Sequence, residues 1–572
     1  MLQDILDVII FFARNLPAAF ALFFGGWLLL GANGRAARLP RPGPAYVWAL
    51  ALGLLGIYAG LAAWYVTLEG FSGEVEPVVS TLSWLVSHGH PLYTRFEDAE
   101  RYSVLYGPSV FLTNGLFLKV LGPSLAAVKL ASALGAVGSL VLLYAALARR
   151  TRDTLAVALT ALAAMYFWAQ GFSVYAVRPD ALMVFALALG LYGAARTRRW
   201  LAVAVVAATA GFAVNLKLHG FLYFAPVAAL LWTRHGRRAA FAALGGAVAV
   251  AALPFAFNDQ VSLLNYLAWI RNATHHGLST EFLWLDLGYA AALVMPLALV
   301  LAVGGWRRWR GTPEAALMLA LTGVLPAVLV LASKPGAGMV HLLPLALPTV
   351  FVTGRLVQRL QADGFDWRPR VRQSAAASFV LTLLLGGTVC EYRAVRLLDW
   401  EVGLVPDVAV DVRGVMSRYP ELSVAMACGG ENKAFLSTWP RPLLAFRDNP
   451  VLLDPVSVMD SSLSGRELSP STYEAITDGR IALWLVPRGQ EPFRKVNWYA
   501  PHLPIFPDDF VKHFEQCYSP RAQSRYFDLW FWNGLPDVAG AAGGSLQDVD
   551  GAGRGAAGPT AGTRLLGTVV AH

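Results

Sequence analysis

Long apolar runs recur through the first two thirds of the chain and constrain its fold more than any other feature. A run of roughly 17–25 apolar residues has the length of a helix that crosses a bilayer. About twelve such runs can be counted. They centre near residues 8–31, 46–68, 125–148, 154–170, 180–195, 200–215, 219–233, 239–257, 285–305, 314–332, 341–358 and 374–390. Only 15% of residues are charged, against roughly 25% in soluble proteins. The sequence therefore predicts a mainly α-helical, polytopic membrane protein.

Arginine clusters follow every second apolar run and predict the orientation of the chain. They are "GRAARLPR", "RRTR", "RTRR", "RHGRR", "RRWR" and "RLVQRL" with "WRPRVR". Loops rich in Lys and Arg stay in the cytoplasm, so the alternating loops lie on the opposite face. We call this opposite face the Glu74 face, after the large loop that it carries. The net charge of +9 is distributed as orientation signals and does not indicate a nucleic-acid partner.

The composition divides the chain into three parts. Residues 1–390 form the predicted transmembrane domain, with a large outward loop at 69–124 in which Pro108–Leu121 reads as a juxtamembrane or re-entrant helix. Residues 391–533 are predicted to form a small extracytoplasmic α/β domain. In it, "LSVAMACG", "RIALWLVPRG" and "RYFDLWFW" are typical of strands, and "DVAVDVRGVMSRY" and "FPDDFVKHFEQCY" of helices. The Gly/Ala-rich tail, 534–572, is predicted to be disordered.

Two glutamates, Glu74 and Glu76, lie one residue apart at the start of the large loop, in "SGEVEP". In an extended or turn segment, residues i and i+2 point to the same side. The pair would then face one site, where one carboxylate acts as a general base or both hold a divalent cation such as Mg²⁺ or Mn²⁺. The alternative is a solvated loop with two surface acids, since E-x-E alone is a weak motif.

Short loops on the Glu74 face each carry a cation and another polar group. They are Arg178 and Asp180 in "YAVRPD", Lys217 and His219 in "NLKLHG", and Lys334 and His341 in "SKPGAGMVH". Charges at span ends are costly unless they pair, snorkel or line a cavity. As a set they predict a polar pocket for an anion, and phosphate suits it because Lys and Arg bind its oxygens by charge-assisted hydrogen bonds. Each cation alone is also explained as an interfacial residue, and Arg178 can simply pair with Asp180.

Aromatic and cysteine side chains support more than one interpretation. Tyr93 and Tyr106 in the large loop can stack on sugars or belong to an interfacial aromatic belt. Cys428 and Cys517 fall in the same predicted domain and are either two free thiols or a disulfide if that domain is oxidised. The sequence has no phosphate-binding P-loop, HExxH, GxSxG or zinc spacing.

The order of these features resembles the GT-C superfamily of integral membrane glycosyltransferases. That superfamily includes the protein O-mannosyltransferases and the aminoarabinose transferases that act on lipid A. The shared layout begins with a span and a long outward loop that has acids near its start, followed by "HGHPLY" and "YGP". It continues with "RPD" between two spans, a Lys-Pro-Gly loop before a late span, and a C-terminal extracytoplasmic domain. The resemblance covers about residues 46–390.

The resemblance implies transfer of a sugar from a polyprenyl-phosphate donor to a hydroxyl of a lipid or glycan acceptor, by a single inverting displacement. An acid in the first large outward loop is then the base or a metal ligand, with Glu76 as first choice and Glu74 as its partner. The usual motif is D-x-D or D-E, so E-x-E leaves open which glutamate acts and whether a metal takes part. The donor phosphate would meet Arg178, Lys217 and Lys334. The rest of the pocket would be Asp180, His219, His341, Tyr93 and Tyr106.

High Ala, Gly, Arg and Leu usage suggests a GC-rich bacterial genome, which would place the protein in the inner membrane with the C-terminal domain in the periplasm. Two other functions compete with the enzyme. A transporter of a lipid-linked or anionic solute would place ionisable groups near the middle of the membrane, whereas here they cluster on one face. A non-catalytic component of an envelope polysaccharide complex would tolerate Gln at both glutamates.

Overall fold

The computed structural model describes residues 44–148, 153–168, 174–273, 277–364, 404–431, 434–498, 500 and 502–536. The predicted spans near 8–31 and 374–390 lie outside these residues, as do Cys390 and the predicted tail beyond residue 536.

Helices dominate the membrane part, and their bounds follow the apolar runs of the sequence. They are α1 (Pro44–Thr67), α2 (Val75–Ser87), α3 (Pro108–Leu121), α4 (Leu125–Ala148), α5 (Asp153–Trp168), α6 (Pro179–Arg196), α7 (Arg199–Val214), α8 (Gly220–Tyr223), α9 (Ala225–His235), α10 (Arg237–Phe257), α11 (Leu263–Ala273), α12 (Thr280–Gly304), α13 (Pro313–Ala332) and α14 (Ala346–Ala362). Two 3₁₀ helices, Trp306–Trp309 and Met339–Leu345, precede α13 and α14. The predicted juxtamembrane helix Pro108–Leu121 is present as α3.

Six helical stretches among the described residues are long and apolar enough to cross a membrane. They are Val47–Thr67, Leu125–Ala148, Arg237–Phe257, Thr280–Ala302, Pro313–Ala332 and Met339–Ala362. Shorter apolar helices include α3, α5 and α7. The mainly helical, polytopic membrane fold is thus confirmed, while the total of about twelve spans stays a prediction.

Small residues let the helices of this domain approach closely. α6 packs against α4 and α7, and α7 packs against α10. At Gly211 of α7, an added Cβ would lie 2.5 Å from the carbonyl oxygen of Ala247 on α10, so only glycine fits. Membrane helices use small residues in this way because lipid supplies no hydrophobic drive for association. The other side of α10 is open, with Phe241 and Val248 exposed as expected of a lipid-facing surface.

The C-terminal part is a small α/β domain, as predicted. Its elements are α15 (Val405–Arg418), β1 (Val424–Met426), α16 (Ala434–Ser437), α17 (Arg441–Ala445), α18 (Pro455–Ser462), α19 (Pro470–Thr477), β2 (Leu483–Pro487), α20 (Asp508–Cys517), β3 (Tyr518–Gln523) and β4 (Phe527–Trp532). The sheet order is β1-β2-β4-β3, with β1 parallel to β2 and the other pairs antiparallel. Trp484 of β2 packs against Phe493 and Phe514 in its core.

The large loop and the C-terminal domain are joined by main-chain hydrogen bonds. Arg101 forms a parallel bridge with Leu453, in which Arg101 N donates to Leu452 O at 2.7 Å and Asp454 N donates to Arg101 O at 2.8 Å. Two residues further on, Ser457 Oγ donates to Ser103 O at 2.7 Å. The start of α18 is therefore fixed against the loop that carries Glu74.

Candidate active site

The two glutamates lie at the beginning of a helix and not in an extended segment. Glu74 directly precedes α2, and Glu76 belongs to its first turn. Positions i and i+2 of a helix are separated by roughly 200°, because 3.6 residues make one turn. The two carboxylates therefore point to different partners, in contrast to the shared direction that an extended segment would give them.

Glu76 is completely buried, and both of its carboxylate oxygens are saturated with donors. Oε1 accepts from Ser72 N at 2.6 Å, Ser72 Oγ at 2.6 Å and Gly73 N at 3.0 Å. Oε2 accepts from the Tyr65 hydroxyl and from Val177 N at 2.8 Å. Glu76 thereby ties the end of α1, the loop before α2 and the segment before α6 to one another.

Glu74 makes an ion pair with a lysine of the C-terminal domain. Lys495 Nζ donates to Glu74 Oε1 at 2.9 Å and to Oε2 at 3.0 Å. The Glu74 side chain keeps 15% of its surface exposed, against 2% for Lys495. Burial raises the pKa of the Glu74 carboxyl, and the neighbouring Lys495 and Arg441 act in the opposite direction. Of the two glutamates, Glu74 is the one that a ligand can reach.

Arg178, Asp180 and Lys217 form one charged cluster at the Glu74 face, where α6 begins and α7 has just ended. Lys217 Nζ donates to Asp180 Oδ1 at 2.7 Å, and Arg178 Nε lies 3.5 Å from Asp180 Oδ2. Asp180 and Lys217 are buried, whereas 21% of the Arg178 side chain is exposed. Arg178 thus lies beside Asp180, as the sequence-based alternative proposed, and the same carboxylate also pairs with Lys217.

Tyr106 lies beside this cluster. The Lys217 ammonium is 5.8 Å from the centre of its ring, and the Tyr93 hydroxyl donates to Tyr106 O at 2.7 Å. Burial raises the pKa of the Tyr106 hydroxyl, and the adjacent Arg178 guanidinium opposes this shift. Tyr93 itself is buried against Tyr266, so it positions Tyr106 and presents no open face to a ligand.

His219, His341 and Lys334 occupy the neighbouring part of the same face. The two imidazole rings stack with their centres 5.0 Å apart, and the Tyr223 hydroxyl donates to His341 O at 2.7 Å. Lys334 lies within electrostatic reach of His219 and is half-buried. Its ammonium makes no ion pair with any described residue. Sequence reasoning placed these groups on one face, and the structure brings them together.

The sequence did not point to several further residues at this site. Lys495, Arg441, Asp454 and Asp460 come from the C-terminal domain, and Arg441 pairs with Asp454. Burial, with the Asp454 carboxylate, raises the pKa of Asp460 to about 7. No local motif marks these residues, so only the folded chain reveals them.

Lys129 is a further missed residue, because it lies within an apolar run. It is completely buried, and its ammonium donates to Leu68 O at 2.7 Å and to Gly70 O. These carbonyls lie just after the end of α1, where the acidic loop begins, so Lys129 stabilises the start of that loop.

A divalent cation held by Glu74 and Glu76 stays a prediction. Glu74 and Glu76 do not converge on one point, and no three His, Cys, Asp or Glu residues in the described ranges group closely enough to hold an ion. We therefore derive no step through Mg²⁺ or Mn²⁺. Cys428 and Cys517 are both free thiols.

Comparison with known proteins supports the fold. No protein-family model matches the chain. No curated protein matches it in sequence. The solved structure of ArnT from Cupriavidus metallidurans bound to undecaprenyl phosphate is similar, with a TM-score of 0.52 and 15% identity over 84% of this chain and 98% of that one. The same ArnT in the apo state gives a TM-score of 0.50, again at 15% identity, with 84% and 98% covered. The chain therefore shares the polytopic membrane fold of these ArnT structures, in agreement with the fold that the sequence resemblance implied.

Proposed function

We propose that the protein is a membrane glycosyltransferase that moves a sugar from a polyprenyl-phosphate donor to an acceptor hydroxyl. The observation that carries this proposal is the arrangement of charge on the Glu74 face. Glu74 is a partly exposed carboxylate beside Lys495, and two partly exposed cations, Arg178 and Lys334, belong to short segments at the helix ends. The fold is shared with an ArnT structure that contains undecaprenyl phosphate.

Glu74 is the general base in this proposal, and Glu76 has a positioning role. A base must reach the acceptor hydroxyl. Both oxygens of Glu76 are occupied by donors and its side chain is fully buried, whereas Glu74 keeps an exposed edge beside its ion pair with Lys495. Sequence reasoning preferred Glu76, and the geometry moves the preference to Glu74.

The reaction needs a base and a set of cations. Glu74 takes the proton of the acceptor hydroxyl while the oxygen of that hydroxyl bonds to the anomeric carbon. The bond from that carbon to the lipid phosphate breaks with its electron pair, and one displacement inverts the anomeric centre. The departing phosphate gains negative charge, which Arg178 and Lys334 stabilise. Lys217 acts through Asp180, since burial and ion pairing keep it from the ligand.

The membrane setting follows from the donor. A polyprenyl tail is apolar, and lipid-facing helices such as α10 leave it a path beside the spans. The arginine clusters support an orientation in which the opposite, Glu74 face lies outside the cytoplasm. We propose that this is the periplasmic face of a bacterial inner membrane and that the acceptor is a lipid or glycan there.

The test is turnover of radiolabelled polyprenyl-phosphate sugars by the purified full-length protein. The wild type should transfer or slowly hydrolyse one donor, and Glu74→Gln should lose about 10²–10⁴-fold in rate, the usual contribution of a general base. Glu69→Gln is the matched control, because Glu69 belongs to the same loop and pairs with Arg413 at the surface. Full activity of Glu74→Gln removes it as the base. Absence of release from every donor by a folded wild type overturns the proposed class.

A further inference from the structure

The contact between Glu74 and Lys495 spans the longest stretch of sequence in the site. The two residues are 421 positions apart, and one belongs to the large loop while the other belongs to the C-terminal domain. Lys495 donates to both carboxylate oxygens, so it fixes the plane of the carboxylate as well as its position. Such charge-assisted bonds are about twice as strong as neutral ones.

The C-terminal domain holds Lys495 firmly. The Lys495 carbonyl accepts from Ile505 N at 3.0 Å, and Asn497 N donates to Leu503 O at 2.9 Å, which closes the segment into a hairpin-like turn. The Lys495 ammonium lies 4.9 Å from the centre of the Trp498 ring. These contacts hold the Lys495 backbone in place and its ammonium beside the Trp498 ring and Glu74.

Two residues before Lys495, the backbone is strained. Phe493 has φ at +59°, a left-handed conformation that a bulky residue rarely adopts. Packing retains it, because the ring is buried among Phe506, Phe510 and Phe514, and its N–H donates to Cys428 O at 2.6 Å. Strain of this kind collects at functional sites, where the surrounding structure enforces a needed direction.

We propose that Lys495 is a positioning residue for Glu74 and that the C-terminal domain is therefore an integral half of the active site. This inference rests on the proposed function, in which Glu74 is the base. The charged groups that face Glu74 are Lys495, Arg441 and Asp454, and Arg441 already pairs with Asp454. Lys495 is thus the cation that favours the ionised form of the partly exposed Glu74 carboxylate and fixes its orientation.

The first experiment measures the pH dependence of kcat/KM for Lys495→Met, Lys495→Arg and the wild type, all as full-length protein. Loss of the ammonium should favour the protonated form of Glu74. On the acidic limb of the profile, Lys495→Met should therefore lose about 10-fold in kcat/KM for each unit by which that limb moves upward, and it should regain activity at higher pH. Lys495→Arg should restore most of the wild-type profile. A loss that is equal at every pH indicates a structural role only and overturns the proposal.

Arg494→Met is the matched control, because Arg494 is the sequence neighbour of Lys495 but pairs with Glu491 and Asp508 at the surface. It should leave the pH profile unchanged. If Arg494→Met moves the profile as Lys495→Met does, a general loss of positive charge explains the effect, and the proposal falls.

A second experiment is independent of turnover. A double-mutant cycle in thermal stability compares Glu74→Gln, Lys495→Met and the two combined. The proposal expects the combined variant to be more stable than the sum of the single losses predicts, since each single change leaves one charge buried without its partner. Additive losses overturn the pairing even if the enzyme is active. Coupled losses with no sugar transfer by the wild type would overturn the proposed function and retain the contact.

Discussion

Lys217 and Asp180 form a buried ion pair, 2.7 Å from Nζ to Oδ1, that joins the start of α6 to the turn after α7. Arg178 lies on the other oxygen of the same carboxylate. One acid therefore organises two of the three cations that sequence reasoning assigned to phosphate.

The first prediction concerns Asp180. Asp180→Ala leaves Lys217 buried without its partner and should destabilise the protein by about 3–5 kcal/mol. Replacing both, as Asp180→Leu with Lys217→Met, should recover much of that loss, because neither charge is then buried alone. Thermal unfolding of the full-length variants measures both effects. A double variant no more stable than Asp180→Ala would contradict this explanation.

The second prediction separates the two glutamates. Glu76→Gln places an amide NH₂ among donors that all point at one carboxylate, so at least one N–H or O–H loses its acceptor. Each buried donor left unpaired costs about 1–3 kcal/mol. Glu76→Gln should lower the melting temperature and slow turnover without moving the pH profile. Glu74→Gln should remove activity, and it should also lower the melting temperature because it leaves the buried Lys495 ammonium without its partner. Activity therefore separates the two variants, and full activity of Glu74→Gln with none in Glu76→Gln would restore Glu76 as the base.

The third prediction tests the wall of the site. A Cβ added at Gly107 would lie 2.3 Å from the carbonyl oxygen of Asn215, while Gly107 N donates to Leu216 O at 3.0 Å. Gly107→Ala must therefore push back the turn that carries Lys217, at a cost of about 1–3 kcal/mol, and should raise KM for the donor. Gly60→Ala in α1 is the control, because a Cβ there meets open space. Equal behaviour of the two variants in thermal unfolding would exclude the steric explanation.

The fourth prediction concerns pH. The raised pKa of Asp460, about 7, means that the folded protein favours its protonated form. The resulting stability is present below the pKa of the unfolded chain and is lost as the pH rises towards about 7. Asp460→Asn cannot ionise, so its melting temperature should rise relative to the wild type between about pH 4 and about pH 7. Asp508→Asn, at an exposed carboxylate, should show no such trend. If the melting temperatures of Asp460→Asn and the wild type differ by the same amount at every pH, the raised pKa of Asp460 is contradicted.

The helices and strands could largely be predicted because their signals are local. Continuous apolar runs marked β1 and β2, and apolar residues at helical spacing, Phe510, Val511 and Phe514, marked α20. The outward cations were found because charges beside apolar runs are conspicuous.

The directions of Glu74 and Glu76 could not be predicted, because they depend on contacts from distant segments. Val177 reaches Glu76 across 101 residues, and Lys495 reaches Glu74 across 421. The role of Lys129 could not be predicted, because a single lysine in a long apolar run forms no recognisable motif. Sequence periodicity predicts helices, strands and their buried sides. Contacts between distant segments determine which of the two carboxylates a ligand can reach.

The junction between the large loop and the C-terminal domain has a consequence for biosynthesis. Ser103 and Ser457, which share a hydrogen bond, are 354 residues apart, and Glu74 and Lys495 are 421 residues apart. During synthesis the loop leaves the ribosome well before these partners exist, since chains emerge at about 5–20 residues per second. The contacts of Glu74 are therefore completed only once the chain has been synthesised beyond Lys495, after all the described membrane helices. A chain that ends before Lys495 lacks the ammonium that pairs with Glu74.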